Sequence, residues 1–89
     1  MSSTIGTIKS IVAGIRNAPQ LATELSDTAD LVDGLALDSL EMLQLMLELE
    51  EKLAVRIDFD RLEFAYLRSI GVLAEFLDTM PPRQAPGPP

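Results

Sequence analysis

The stretch "LALDSLEMLQLMLELEEKL", residues 35–53, predicts the helix around which the rest of the fold is organised. Asp38 can cap this helix by accepting backbone N–H bonds, and Glu41 can accept a bond from the N–H of the cap residue in return. The residues that follow are strong helix formers, and none of them is Gly or Pro. We therefore expect the helix to begin at or next to Ser39 and to continue through Lys52 or Leu53.

This helix carries apolar side chains on two sides. At about 100° per residue, one arc gathers the apolar residues of a core face and a second arc gathers polar residues. Leu40, Leu43 and Leu47 fall outside both arcs and form what we call the leucine strip. A bundle helix can bury a wide arc, so the strip is either more core or a contact surface for another protein. The core arc holds Met42, Leu45, Met46, Leu49 and Leu53, and the polar arc holds Glu41, Gln44, Glu48, Glu51 and Lys52.

The N-terminal part of the chain predicts one helix followed by a loop. Apolar residues spaced by three and four over residues 5–15 indicate the helix, with Ser3 or Thr4 as its cap. Pro19 ends that pattern. Residues 20–37 scatter Thr, Ser, Asp and Gly among leucines without a sustained period, which indicates a long loop pinned by its leucines. Loops of this length are often functional.

The C-terminal part predicts two further helices. The segment "FDRLEF", residues 59–64, suggests a short third helix or an irregular turn, with Asp58 or Asp60 as the cap. Ser69 is placed to cap a last helix, which the proline pair at residues 81–82 prevents from continuing.

These elements predict an all-α fold. It is a four-helix bundle of three main helices and a short third helix, with the long loop between the first two main helices. We expect residues 1–80 to form this domain and residues 81–89 to form a disordered, proline-rich tail.

The amino-acid composition disfavours several kinds of functional site and partner. A chain of 89 residues makes one small domain, and the absence of cysteine and histidine removes disulfides, thiolate metal sites and the commonest general base. We therefore do not expect an enzyme. The net charge of −7 disfavours nucleic acid and anionic lipid and favours basic protein surfaces. No apolar run is long enough to span a bilayer and the N-terminus lacks a signal-peptide pattern, so we expect a cytoplasmic protein.

Ser39 is the candidate functional residue. At a helix N-terminus, free N–H groups and the helix dipole stabilise an anion, so a phosphate ester on Ser39 would be favoured. A nucleophilic role of its own would need a general base, and no lysine lies nearer in sequence than Lys52. Asp-Ser-Leu also opens many ordinary helices, so these three residues alone do not decide the function.

The longer segment "LVDGLALDSLEMLQLMLELEEKL", residues 31–53, resembles the acyl and peptidyl carrier proteins. The family pattern is a leucine-anchored loop, Asp-Ser-Leu and an apolar helix ending in Leu-Glu-Glu, and the resemblance extends over nearly all of residues 3–78. It implies that Ser39, flanked by Asp38 and Leu40, carries a 4′-phosphopantetheine arm whose thiol holds an acyl or aminoacyl group as a thioester. Many members carry glycine where this chain has Ala36.

The resemblance also implies partners. These are a phosphopantetheinyl transferase, an acyl- or aminoacyl-loading ligase or transferase, and downstream biosynthetic enzymes with basic docking patches. Family members present the serine-bearing helix to partner enzymes, so the leucine strip would make apolar contacts and nearby glutamates would form an acidic rim. The segment "FDRLEFAYLRS" is longer than in fatty-acid carriers and resembles discrete carriers of specialised-metabolite and aminoacyl pathways. We expect a free-standing, monomeric carrier of specialised metabolism. The expected contact residues are Leu40, Glu41, Leu43, Leu47, Glu48, Glu50 and Glu51.

Two alternatives differ in class. One is an unmodified acidic helical module that binds other proteins. The other is a calcium loop in "DFDRLE", residues 58–63, but Glu63 stands where such a loop needs glycine at its sixth position. We therefore expect no metal site.

Overall fold

The computed structural model of the protein describes residues 3–82, which form helices joined by loops. Within this range there is no strand, and Val55 and Pro82 make an isolated antiparallel bridge. The prediction of an all-α bundle is confirmed. The helices are α1 (Ser3–Ile15), α2 (Leu21–Glu24), α3 (Ser39–Leu53) and α4 (Ile70–Asp78), with a 3₁₀ helix (Phe64–Arg68) before α4.

The core lies where α1 packs against α3 and α4. The predicted core arc of α3 is confirmed, because Leu45, Met46 and Leu49 are buried and Met42 and Leu53 pack half-buried against them. Residues spaced by three and four share one helix face, so each helix buries a stripe and leaves its other sides to solvent. The largest fully buried side chains are Ile8, Val12, Leu31, Leu45, Leu49, Ile70, Leu73 and Leu77.

The predicted caps of the first helix are wrong. α1 already includes Ser3, and Thr4 lies inside the helix, where its side chain is buried. The Thr4 hydroxyl donates to the Asp78 carboxylate at 2.5 Å. A buried hydroxyl needs such a partner, so Thr4 ties the start of α1 to the end of α4.

The loop before α3 contains one short helix that the sequence pattern did not reveal. α2 starts two residues after Pro19, and main-chain bonds hold it, including those from Thr23 and Glu24 to the Gln20 carbonyl. Its single turn is too short to show a period, which explains why the sequence did not predict it. Leu31 and Leu37 are buried, as expected of leucines that pin a loop.

Of the two possibilities left open for residues 59–64, a short helix or an irregular turn, the structure has the turn, and the short helix lies further along the chain. Residues 58–61 form a turn, in which the Asp58 carboxylate accepts the Asp60 N–H and the Asp58 carbonyl accepts the Arg61 N–H. Asp58 and Asp60 therefore cap no helix. Asp side chains favour such local turns, and the 3₁₀ helix starts only after Glu63.

The start of α4 is capped by the main chain of a distant loop. Ser69 is its N-cap residue, as predicted, but the Ser69 side chain makes no cap hydrogen bond. The N–H groups of Ile70 and Gly71 donate to the carbonyls of Ala29 and Asp27, at 3.0 and 2.6 Å. This pairing fixes the loop before α3 against the last helix.

The chain after α4 turns back onto the domain. The Arg56 N–H donates to the Pro81 carbonyl at 3.0 Å, beside the bridge of Val55 to Pro82. Most of the predicted proline-rich tail, residues 83–89, lies outside the described residues.

Two glycine-to-alanine changes should have opposite effects on stability. A Cβ at Gly34 would lie 2.7 Å from the backbone oxygen of Asp30, so Gly34→Ala should destabilise by about 1–3 kcal/mol, as overpacking does. A Cβ at Gly6, exposed in α1, would meet nothing within 4 Å, so Gly6→Ala should stabilise by about 1 kcal/mol through helix propensity. Urea unfolding of both variants measures this. Equal stabilities would show that the loop at Gly34 is not tightly packed.

Candidate functional site

Ser39 is the first residue of α3, and its side chain is exposed. Asp38, in extended conformation, is the N-cap, and its carboxylate accepts the Glu41 N–H at 2.7 Å. The Glu41 carboxylate accepts the Asp38 N–H at 3.0 Å, which completes the predicted capping box. The cap uses the two residues on either side of the Ser39–Leu40 pair, so the Ser39 hydroxyl is free to face an external reagent.

The chain just before Ser39 is anchored by one buried leucine and one unusual backbone position. Leu37 is buried, and its N–H donates to the Leu31 carbonyl at 3.1 Å. Ala36 has a φ of 52°, in the left-handed region. Glycine adopts that region without strain, so alanine at this position costs about 1–2 kcal/mol in that conformation.

Asp30 organises the middle of the loop, which the sequence reasoning missed. Its carboxylate accepts the N–H groups of Val32 and Asp33, at 2.7 and 2.9 Å, and pairs with Arg68. The Asp33 N–H, then Val32 and Arg68, hold the pKa of Asp30 below its ordinary value of 3.8 against a smaller opposing effect of desolvation. The ionised form is thus favoured by folding, and this contribution is lost as pH falls through the lowered pKa.

The leucine strip is exposed. Leu40, Leu43 and Leu47 expose 75%, 52% and 54% of their surface. Together with Gln44 and Glu48 they line a shallow groove on the outer side of α3. The possibility that these leucines belong to the core is therefore wrong, and they form an apolar patch next to Ser39 that needs another explanation.

The four predicted rim glutamates differ in their surroundings. Glu50 is half-buried and its carboxylate accepts the Ile57 N–H at 2.9 Å, which closes the turn after α3. Glu41 is engaged by the capping box and by an ion pair with Arg16. The Glu48 carboxylate accepts a long bond from the Gln44 amide, at 3.3 Å, and Glu51 is exposed. Glu48 and Glu51 are therefore the pair best placed to face another molecule.

The site can present a hydroxyl but offers little to activate it. At a helix N-terminus the first N–H groups lack intrahelical partners, so a phosphate on the Ser39 oxygen would be stabilised there. Across residues 3–82 no set of acidic side chains is arranged to hold a metal ion, and no helix is long and apolar enough to cross a bilayer. Elsewhere, the hydrogen bond and charge of Glu63 raise the pKa of Tyr66, which lies on the 3₁₀ helix.

A comparison with known protein families gives one match that spans the whole bundle. The family described as "phosphopantetheine attachment site" matches residues 6–77, from α1 to the last turn of α4. No curated protein and no solved structure gives a significant match to the chain. The matched range contains the exposed serine, its capping box and the leucine strip.

Proposed function

The chain belongs to the phosphopantetheine attachment-site family, and from this we propose that it is a free-standing acyl, aminoacyl or peptidyl carrier protein modified on Ser39. Domains of this family are carriers and not enzymes, and they bear 4′-phosphopantetheine covalently on a serine. The observation that carries the proposal is the exposed Ser39 at the start of α3. When bound, the arm supplies a thiol that holds the cargo as a thioester.

The residues around Ser39 suit such a group. Asp38 and Glu41 hold the helix start while leaving the Ser39 hydroxyl exposed, so the modification needs no rearrangement of the cap. The helix N-terminus stabilises the negative charge of a phosphodiester. The carboxylates beside Ser39, Asp38 and Glu41, are engaged in the capping box, so we expect the transferase to remove the proton of the hydroxyl.

We propose that the leucine strip is the docking surface for the transferase and the biosynthetic enzymes. Its three exposed leucines offer apolar area beside Ser39. Glu48 and Glu51 would form the acidic rim, in keeping with the net charge of −7, and would attract basic patches. Glu41 pairs with Arg16, and Glu50 accepts the Ile57 N–H, so both stabilise the helix that carries this surface.

We also propose where the carrier acts, in which oligomeric state and in what class of pathway. The carrier would act as a cytoplasmic monomer in specialised metabolism, loaded by a ligase or transferase and unloaded by downstream enzymes. The long segment between α3 and α4, with its turn at residues 58–61 and the 3₁₀ helix, supports this pathway class.

Intact-mass spectrometry tests the function directly. Incubation of the purified protein with coenzyme A, magnesium and a phosphopantetheinyl transferase should add the mass of one phosphopantetheinyl group. Peptide mapping should place the group on Ser39. A protein that stays at its apo mass with several broad-specificity transferases would instead be an unmodified interaction module.

Leu43→Ala should weaken transfer far more than folding. The side chain is half exposed, so its truncation should cost less than about 1 kcal/mol of stability, whereas an apolar contact at the centre of an interface is worth about 1–2 kcal/mol or more. We expect kcat/KM for phosphopantetheinyl transfer to fall about tenfold with an almost unchanged Tm. Val72→Ala, a truncation at an exposed position on α4, is the control and should leave both unchanged. A large fall in Tm with normal transfer per folded molecule would contradict the docking role.

The acidic rim can be tested in the same assay. Glu48→Lys should lower kcat/KM at low salt and have less effect near physiological salt, where charges are screened beyond about 8 Å. Glu75→Lys on α4 makes the same charge change away from the strip and should have little effect. An equal effect of both variants would show that only the net charge matters.

A further inference from the structure

Arg16 joins three segments that meet at the start of α3. Its guanidinium donates to the Leu35 carbonyl at 2.6 Å and contacts both carboxylate oxygens of Glu41, at 3.0 and 3.3 Å. We infer that Arg16 is a positioning residue that fixes the place of Ser39 for phosphopantetheinyl transfer. This inference rests on the proposed function.

The end of α1 is built so that Arg16 occupies this place. The Ala18 N–H donates to the Ala13 carbonyl and the Asn17 N–H to the Gly14 carbonyl, at 2.9 and 3.1 Å. Asn17 has a φ of 52°, and these two bonds with a left-handed residue form a Schellman motif, which ends a helix sharply. Arg16 is thereby held in the turn that stops α1.

The two residues that Arg16 contacts lie on either side of Ser39 in the sequence. Leu35 belongs to the loop that leads into α3, four residues before Ser39, and Glu41 lies two residues after it. Glu41 is also half of the capping box, because its carboxylate accepts the Asp38 N–H. Arg16 therefore fixes the loop and the helix cap together, because its Nη2 donates to both the Leu35 carbonyl and the Glu41 carboxylate while its Nε lies in ion-pair contact with Glu41.

The positive charge of Arg16 would also offset the repulsion between Glu41 and a phosphodiester on Ser39. The Glu41 carboxylate lies in the first turn of α3, close to where a phosphodiester on Ser39 would be placed, and two anions there would repel. The Arg16–Glu41 pair is only partly exposed, at 32% and 26% of the side chains, so its charges are incompletely screened by water. Arg16 thus lets Glu41 serve the cap without opposing the modification.

Arg16→Gln tests this role against a matched control. We expect kcat for transfer to fall about tenfold, less than the ~100-fold that a misplacement of 1 Å can cause, with KM changed less than about twofold. Arg68→Gln is the control, because Arg68 anchors Asp30 and Asp33 in the earlier part of the same loop. It should leave kcat within about twofold of wild type. Arg16→Lys should restore kcat only in part.

A second measurement reports the position of Ser39 in the unmodified protein. Amide hydrogen exchange should quicken over residues 35–41 in Arg16→Gln and over residues 30–34 in Arg68→Gln. Equal losses of kcat in the two variants, or a loss confined to KM, would overturn the positioning role while leaving the proposed function intact. Failure of the wild-type protein to be modified would overturn both.

Discussion

Ser39→Ala is expected to remain at its apo mass under conditions that convert the wild-type protein completely. The variant removes the only atom that the phosphodiester would be attached to, so the loss of modification should be total. Its fold should survive, because the cap is made by Asp38 and Glu41 and the Ser39 side chain is exposed. Alanine is also a better helix former than serine by roughly half a kcal/mol, so Tm should stay the same or rise by a few degrees.

The matched control is Ser10→Ala. Ser10 is an exposed serine in a helix, α1, and should not be modified in either protein. Ser10→Ala should therefore gain one phosphopantetheinyl group at the wild-type rate. The assignment of Ser39 fails if its alanine variant still gains the group. It also fails if the variant unfolds, since the loss of modification would then report on folding alone.

The elements that the sequence predicts correctly depend on residues close together in the chain. The capping box of α3 needs only Asp38 and Glu41, three residues apart, and the core arc follows from a period of 3.6 within a single helix. The same reasoning could not decide whether the leucine strip is buried or exposed. A helical period tells which residues share a side, but whether that side is covered depends on how many other helices pack there.

The features that the sequence did not predict depend on contacts between distant segments. The cap of α4 comes from the carbonyls of Ala29 and Asp27, about forty residues earlier, so the identity of Ser69 gave the right position with the wrong hydrogen bonds. At residues 59–64 the sequence left a short helix or an irregular turn open, because Asp58 suits a turn as well as a helix cap, and the structure has the turn.

In the candidate site, too, the features that depend on local sequence could be predicted and those that depend on distant contacts could not. Ser39, Asp38 and the leucine strip could be found from local pattern and from resemblance. Arg16, which fixes the start of α3, contacts residues 19 and 25 positions further along the sequence. Arg68, which anchors only the earlier part of the loop, contacts residues 38 and 35 positions before it. Nothing in the spacing of an arginine tells which carbonyl or carboxylate it will meet. For the same reason the sequence did not predict the pairing of Glu41 with Arg16 or the bond of Glu50 to the Ile57 N–H.

Leu49→Ala is expected to cause the largest loss of stability of any change discussed for this protein. Leu49 is fully buried among the residues of the core cluster, so its truncation removes apolar contacts and leaves a cavity. The cost for such a leucine is about 2–5 kcal/mol, against a total of about 5–15 kcal/mol for a typical domain. Each kcal/mol lowers Tm by about 4–8 °C in a domain of this size, so Tm should fall by at least about 8 °C.

Leu47→Ala is the matched control on the same helix. It applies the same chemical change two residues away, on a side chain of which 54% is exposed, and should cost less than about 1 kcal/mol. Urea unfolding should show a lower midpoint with an unchanged slope for Leu49→Ala and a nearly wild-type curve for Leu47→Ala. Similar losses in both variants would mean that the leucine strip is covered in solution, for example by a second copy of the chain. Because docking needs that strip to be open, the stability of Leu47→Ala also decides whether partner enzymes can reach the surface proposed for them.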